Sequence, residues 1–357
     1  MIKKIMAVLL AFAVTAAMPF IVPERGHVHA LVYNTESEAQ LNVESVLNEE
    51  NGLAELDTTI RTSDIDDIMS SGRPAESGAV KICFSEEGGS GDAAAEAEKV
   101  RIRIEKNVLK RICEYDNMQL EIAACMGKVK ISQKLMKYLL NNAKGDTVDV
   151  VMENVVLSEA EQKLCGADAL ARKMYFSSGG KQITNLKGIS TEIELYVLSG
   201  GKTADDYSGA VRRLKSGKMV KPGYSVEEDS SMIRCKITDD YLGTFVVGEA
   251  SQLSSARVAA GVKNTTLKLK LSRDKNSRTV DLKWTKSKGF NLDGYEVYHD
   301  FSKYGNYVKA YTTDETSCYN QNIMQGATKY YRVRGYREIG GRKYYTKWSN
   351  TVKISIE

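Results

Sequence analysis

The sequence predicts a mainly β protein made of two β-sandwich-like modules, the first of which carries short helices. Three observations predict it. Val100-Arg-Ile-Arg-Ile104 alternates apolar and charged residues, the period-two pattern of a half-buried strand. Seven short runs of the same kind crowd into residues 262–357, separated by turns such as Lys288-Gly289 and Gly340-Gly341. With 357 residues, 42% of them hydrophobic, 27% charged and 4 prolines, the chain has room for two or three domains and is neither collagenous nor wholly disordered.

Residues 1–30 read as an export signal. Lys3 and Lys4 precede an apolar run from Ile5 to Val22, and Val28-His29-Ala30 supplies a small-residue exit, with cleavage between Ala30 and Leu31. Val14-Thr15-Ala16 offers a second cut, and a run approaching the length of a membrane span leaves an uncleaved anchor as the alternative. Past Ala30 no segment is long and apolar enough to span. The chain is therefore expected to be secreted or at the cell surface, with no transmembrane segment after cleavage.

Cleavage also removes His27 and His29 and leaves His299 alone. A Ser-His-Asp or Cys-His constellation would have to use that residue, and a zinc site with two histidines cannot form. His299 ends an alternating Tyr-Glu-Val-Tyr run and reads as a strand-end residue. No phosphate-binding glycine loop appears. No catalytic, cofactor-binding or metal-ligating residues are expected. Paired carboxylates can lie anywhere in a chain and keep a glycoside hydrolase open as an alternative.

The six cysteines have irregular spacing and no C-x-x-C pair. If 118–125 is extended, Cys125 lies about 23 Å beyond the strand start near Cys113, too far for a bridge. Buried free thiols are the expectation for most of the six, although export permits disulfides.

The net charge of +4 conceals an uneven distribution. Residues 31–80 hold 11 acidic and 2 basic side chains, and 31–79 read as a largely disordered acidic spacer. Residues 80–250 form the first module. Its strand at Ile102–Ile104 and helix carrying Val108, Leu109 and Ile112 recur as Val129–Ile131 with Leu135, Met136 and Leu139. Two copies indicate pairing within one domain. Their helices either plug a sandwich end or offer partner-binding ridges.

This module resembles a β-rich module of Gram-positive surface proteins that lies upstream of S-layer homology repeats. The carrying pieces are the repeated strand-helix-strand unit, Ser178-Gly-Gly-Lys-Gln-Ile-Thr-Asn-Leu-Lys-Gly188, and Asp240-Tyr-Leu-Gly-Thr-Phe-Val-Val-Gly248. It departs from that pattern at Arg212 and Arg213, which suggest an exposed edge, and it carries no S-layer homology repeat.

Residues 251–261, rich in Ser, Ala and Gly, read as a linker, and 262–357 hold 19 Lys and Arg against 9 Asp and Glu. The tail resembles a fibronectin type III domain of clostridial secreted proteins, through Val280-Asp-Leu-Lys-Trp284, Gly294-Tyr-Glu-Val-Tyr298, Tyr330-Tyr-Arg-Val-Arg-Gly-Tyr336 and Lys347-Trp-Ser-Asn350. The resemblance implies an immunoglobulin-like sandwich with Trp284, Tyr295, Tyr331 and Val333 in its core. It places Lys329 where the family has its corner tyrosine. It implies spacing, adhesion or glycan contact, and no catalysis.

The expected function is that of a non-enzymatic surface or wall-associated protein, adhesive or scaffolding. Its expected partner is a wall polymer, an extracellular glycan or a protein, met by tail Tyr, Lys and Arg side chains. Alternate Tyr and Lys also decorate any half-solvated sheet. A carbohydrate-binding accessory protein is the alternative and would show a row of exposed aromatics on one sheet face. Export places nucleic acid outside the expected partners.

Overall fold

The computed structural model describes residues 40–44, 55–70, 78–85, 97–198, 201–229, 232–274, 277–321 and 323–356. The export signal, with Ala30 and Leu31, lies outside them.

The first module is a two-sheet sandwich whose chain crosses from sheet to sheet through short helices. β4 (Lys99–Glu105) leads through α2 (Lys106–Cys113) to β5 (Gln119–Ala124) in the other sheet. β6 (Gly127–Ser132) returns through α3 (Gln133–Asn142) to β7 (Thr147–Asn154) beside β4. Val108, Leu109, Ile112, Leu135, Met136 and Leu139 are all buried in the core shared with the strands. The helices therefore plug the sandwich end, as amphipathic segments with one apolar stripe must.

Residues 40–44 and 55–70 of the acidic stretch belong to this module, which corrects their reading as part of a spacer. β2 (Glu55–Ile60) pairs in parallel with β4, and α1 (Thr62–Ser70) buries Ile65, Ile68 and Met69. It is followed by β3 (Ala79–Ser85), so β2-α1-β3 makes a third strand-helix-strand unit. Leu56, Thr58 and Ile60 face inward, while Glu55 and Asp57 face outward onto Lys99, Arg101 and Arg103. The acidic residues are complements to a basic neighbouring strand. β1 (Gln40–Glu44) extends the other sheet beside β3.

The remaining strands are β8 (Leu170–Ser178), β9 (Lys181–Ile183), β10 (Thr191–Leu198), β11 (Gly209–Arg213), β12 (Met219–Val220), β13 (Gly223–Asp229), β14 (Met232–Asp239) and β15 (Gly243–Gly248). One sheet runs β1-β3-β5-β6-β10-β14-β13, the other β12-β11-β15-β8-β7-β4-β2 with β9 on β8. A Cβ at Gly127 would overlap the Glu194 carbonyl, so glycine lets β6 approach β10. Arg212 and Arg213 do not form an open edge, because β12 pairs with both. Arg212 donates to Asp239 at 2.7 Å, tying the two sheets, and Arg213 reaches Glu161 of α4 (Glu159–Cys165) at 2.5 Å.

None of the six cysteines forms a disulfide. Cys165 and Cys235 are buried and the other four are half-buried. Burial pushes the Cys235 thiol up to about 12.

Residues 251–261, read as a linker, fall within α5 (Ala250–Lys263), a helix that packs on both modules. Leu253, Ala256 and Ala260 join Val211 and Val246 of the first module, while Ala259 and Val262 meet Tyr344 of the tail. Small side chains are what a helix wedged between two surfaces needs.

The tail is a fibronectin type III-like sandwich. β16 (Leu269–Ser272), β17 (Val280–Trp284) and β20 (Ser317–Asn320) form one sheet. β19 (Val308–Thr313), β18 (Gly294–Asp300) and β21 (Thr328–Ile339) form the other. The last stretch of the tail forms β22 (Arg342–Tyr345) and β23 (Val352–Ser355), end to end along β21. Between them the Thr346 and Ser349 hydroxyls accept from Gly335 N and Val333 N, standing in for strand carbonyls. This keeps the buried β21 amides paired while the chain bulges.

Candidate functional site

The bulge and the alternation of β18 and β21 build the outer face of the tail. Tyr295 and Val297 point inward with Tyr331 and Val333, so Glu296, Tyr298, Arg332 and Arg334 must point outward. The register sets Glu296 against Arg334 and Tyr298 against Arg332. The bulge turns Trp348 onto the same face, where its ring meets Tyr298 edge-on at 4.9 Å.

Glu296 and Arg334 neutralise each other. The Glu296 side chain is 5% exposed, and its Oε2 accepts from Arg334 Nε at 3.0 Å and Nη2 at 2.8 Å. The Tyr298 hydroxyl donates to it at 3.2 Å, and Lys309 Nζ lies 3.5 Å from Oε1. Burial works to raise the carboxyl pKa, but Arg334, Tyr298 and Lys309 outweigh it and hold Glu296 below the usual carboxylate value.

Arg332 has no such partner. Its guanidinium lies between two rings, 4.1 Å from the centroid of Tyr307 and 4.0 Å from that of Trp348. Its Nε is buried without a hydrogen bond, and no described carboxylate makes an ion pair with it. Arg334 continues the stack at 4.8 Å from Trp348 and 3.8 Å from Tyr345. Each ring attracts the Arg332 cation by about 0.5–1 kcal/mol at an exposed site. A guanidinium can meet a carboxylate or phosphate through paired N–H groups. Lys343 over Tyr336 at 4.2 Å and Lys353 opposite Tyr330 add positive charge around it.

The aromatics of this face are half-buried, with cations against the rings of Tyr307, Trp348, Tyr345 and Tyr336. The exposed rings are elsewhere: Phe301 and Tyr304 in the β18–β19 loop, Tyr319 on the opposite tail sheet and Tyr241 in the first module.

Trp284, Tyr295, Tyr331 and Val333 are buried in one cluster, with the Trp284 and Tyr295 rings 5.4 Å apart. Lys329, which the resemblance sets at a corner position, lies in β21. The Tyr331 hydroxyl accepts from Asn320 at 2.8 Å instead, linking the two tail sheets. His299, near the end of β18, is half-buried against Tyr331 and Phe301. Burial, then Lys329, lowers its pKa. Glu296, Tyr307, Arg332, Arg334 and Trp348 are site residues that sequence reading does not single out. The alternation of Tyr331-Arg-Val-Arg334 already demands that both arginines face away from the core.

No protein-family model matches the chain, and no curated protein matches it. Among solved structures it is similar to the fibronectin type III domain derived from the human KIAA0970 protein, at 21% identity and TM-score 0.24, over 30% of this chain and 84% of that one. It is similar to an Fn3-like protein from Clostridium thermocellum, at 21% identity and TM-score 0.21, over 25% of this chain and 88% of that one. It also matches pectate lyase PelI from Erwinia chrysanthemi in complex with tetragalacturonic acid, at 16% identity and TM-score 0.20, over 25% of this chain and 27% of the enzyme.

Proposed function

We propose that the chain is an exported, non-enzymatic surface protein that holds an anionic cell-surface polymer on the outer face of its tail. The first module then serves as a folded spacer coupled to the tail by α5. The N-terminal basic and apolar run supports export. The observation that carries the binding role is Arg332, a cation against the rings of Tyr307 and Trp348 with no described carboxylate in an ion pair with it. A carboxylate or phosphate group on a polymer supplies what the protein omits, and the surrounding lysines extend the attraction along the chain of charges.

Pull-down of residues 31–357 on purified cell wall, across a salt series, tests this. Retention that falls steeply as salt shortens the screening length is the expected result. No retention at low salt overturns the proposal.

A further inference from the structure

One end of the tail holds an open cavity of about 440 Å³, between the loop joining β17 to β18 and the turn between β19 and β20. Pockets that hold small ligands span about 300–1,000 Å³. Lys286, Asn291, Tyr295, Asp314, Glu315 and Thr316 contribute to its lining.

Two features mark it as a site rather than a crevice. Tyr295 is 5% exposed and lines the cavity, yet its hydroxyl makes no hydrogen bond to any described residue. Burial raises the Tyr295 pKa, so the hydroxyl stays protonated and able to donate. A donor left unpaired in a cavity wall asks what pairs it. Second, Asp314, Glu315 and Lys286 make no ion pair with any described residue, so their polar atoms stay available.

We propose that this cavity binds a small polyhydroxylated molecule of one or two sugar units. Sugar hydroxyls donate to the Asp314 and Glu315 carboxylates and accept from Tyr295, Asn291 and Lys286. Leu292 supplies an apolar wall for ring C–H groups. Two carboxylates against one ammonium give the lining a negative balance, opposite to the outer face of the same domain. The cavity therefore repels the anionic polymer that the outer face attracts, and the two sites take different chemistry.

Saturation-transfer NMR of the full chain with glucose, galactose and N-acetylglucosamine at millimolar concentration tests this. The expected result is transfer to at least one sugar, lost in Asp314→Asn/Glu315→Gln and weakened tenfold or more in Tyr295→Phe, which removes a single oxygen. Arg332→Gln is expected to leave the transfer unchanged, which separates this site from the outer face. Circular dichroism confirms that each variant is folded. No transfer to any of the three sugars overturns the proposal, as does transfer that survives the Asp314/Glu315 change.

Discussion

On the first module, Lys128 lies 3.0 Å from Glu194, Lys130 lies 2.6 Å from Glu192 and Lys236 lies 2.7 Å from Glu227. On the tail, Arg332 lies between two rings and no described carboxylate reaches it. The first module alternates charge sign strand by strand. In one sheet Glu121 of β5, the lysines of β6, the glutamates of β10, Lys236 of β14 and Glu227 of β13 succeed one another. In the other, acidic β2 lies beside basic β4, and Glu153 of β7 pairs with Lys173 of β8. Such rows reward the correct register and punish a slipped one. The tail uses the same residue types but sets aromatics where the first module sets glutamates. Composition alone does not distinguish a self-neutralised surface from one that needs an outside anion; the register does.

Substitutions sharpen this contrast in descending order of effect. If the charges of the first module decorate a packed scaffold, its stability rests on the interior. Phe245→Ala, at a fully buried position, should cost about 3–5 kcal/mol in denaturant unfolding. Arg212→Ala should cost about 2–3 kcal/mol, because it strands Asp239, whose side chain is 8% exposed. The Arg212→Ala/Asp239→Ala double variant should cost less than the sum of the two single changes.

Glu296→Gln should cost about 1–2 kcal/mol at neutral pH, since it weakens the charge-assisted bonds from Arg334. The sign of its pH dependence follows from the lowered carboxyl pKa. The stabilisation is present above the ordinary value of 4.5 and is lost as pH falls through the lower folded value. The gap between wild type and Glu296→Gln should therefore close in acid, as read by unfolding midpoints. Lys130→Ala should cost no more than about 0.5–1 kcal/mol, because its pair with Glu192 is about one-third exposed. A larger loss would mean that the charge rows hold the first module together.

Trp284, Tyr295, Tyr331 and Val333, which the fibronectin type III resemblance placed in the core, are buried, and each sits two residues from another buried position. Residues 55–70 were not readable, because their acidic residues have partners 44–46 positions away on β4, and composition carries no register. Residues 250–263 resemble a linker for a related reason. A helix buried by two modules carries small residues on several sides and shows no polar–apolar stripe. The outward direction of Arg332 was legible. Its placement between Tyr307 and Trp348 depends on the β18–β21 register and on the bulge after β22, neither of which sequence spacing encodes.

Equilibrium binding of two soluble polyanions, polyglutamate and polyphosphate, to the full chain at low salt tests the outer face most directly. Wild type should be compared with Arg332→Gln and with Lys283→Gln, which removes the same charge from the exposed face of the opposite tail sheet. The expected result is binding weakened tenfold or more by Arg332→Gln and little changed by Lys283→Gln, with the stronger polymer reporting whether carboxylate or phosphate fits. Equal, small losses in both variants would reduce the attraction to net charge and contradict a built site at Arg332.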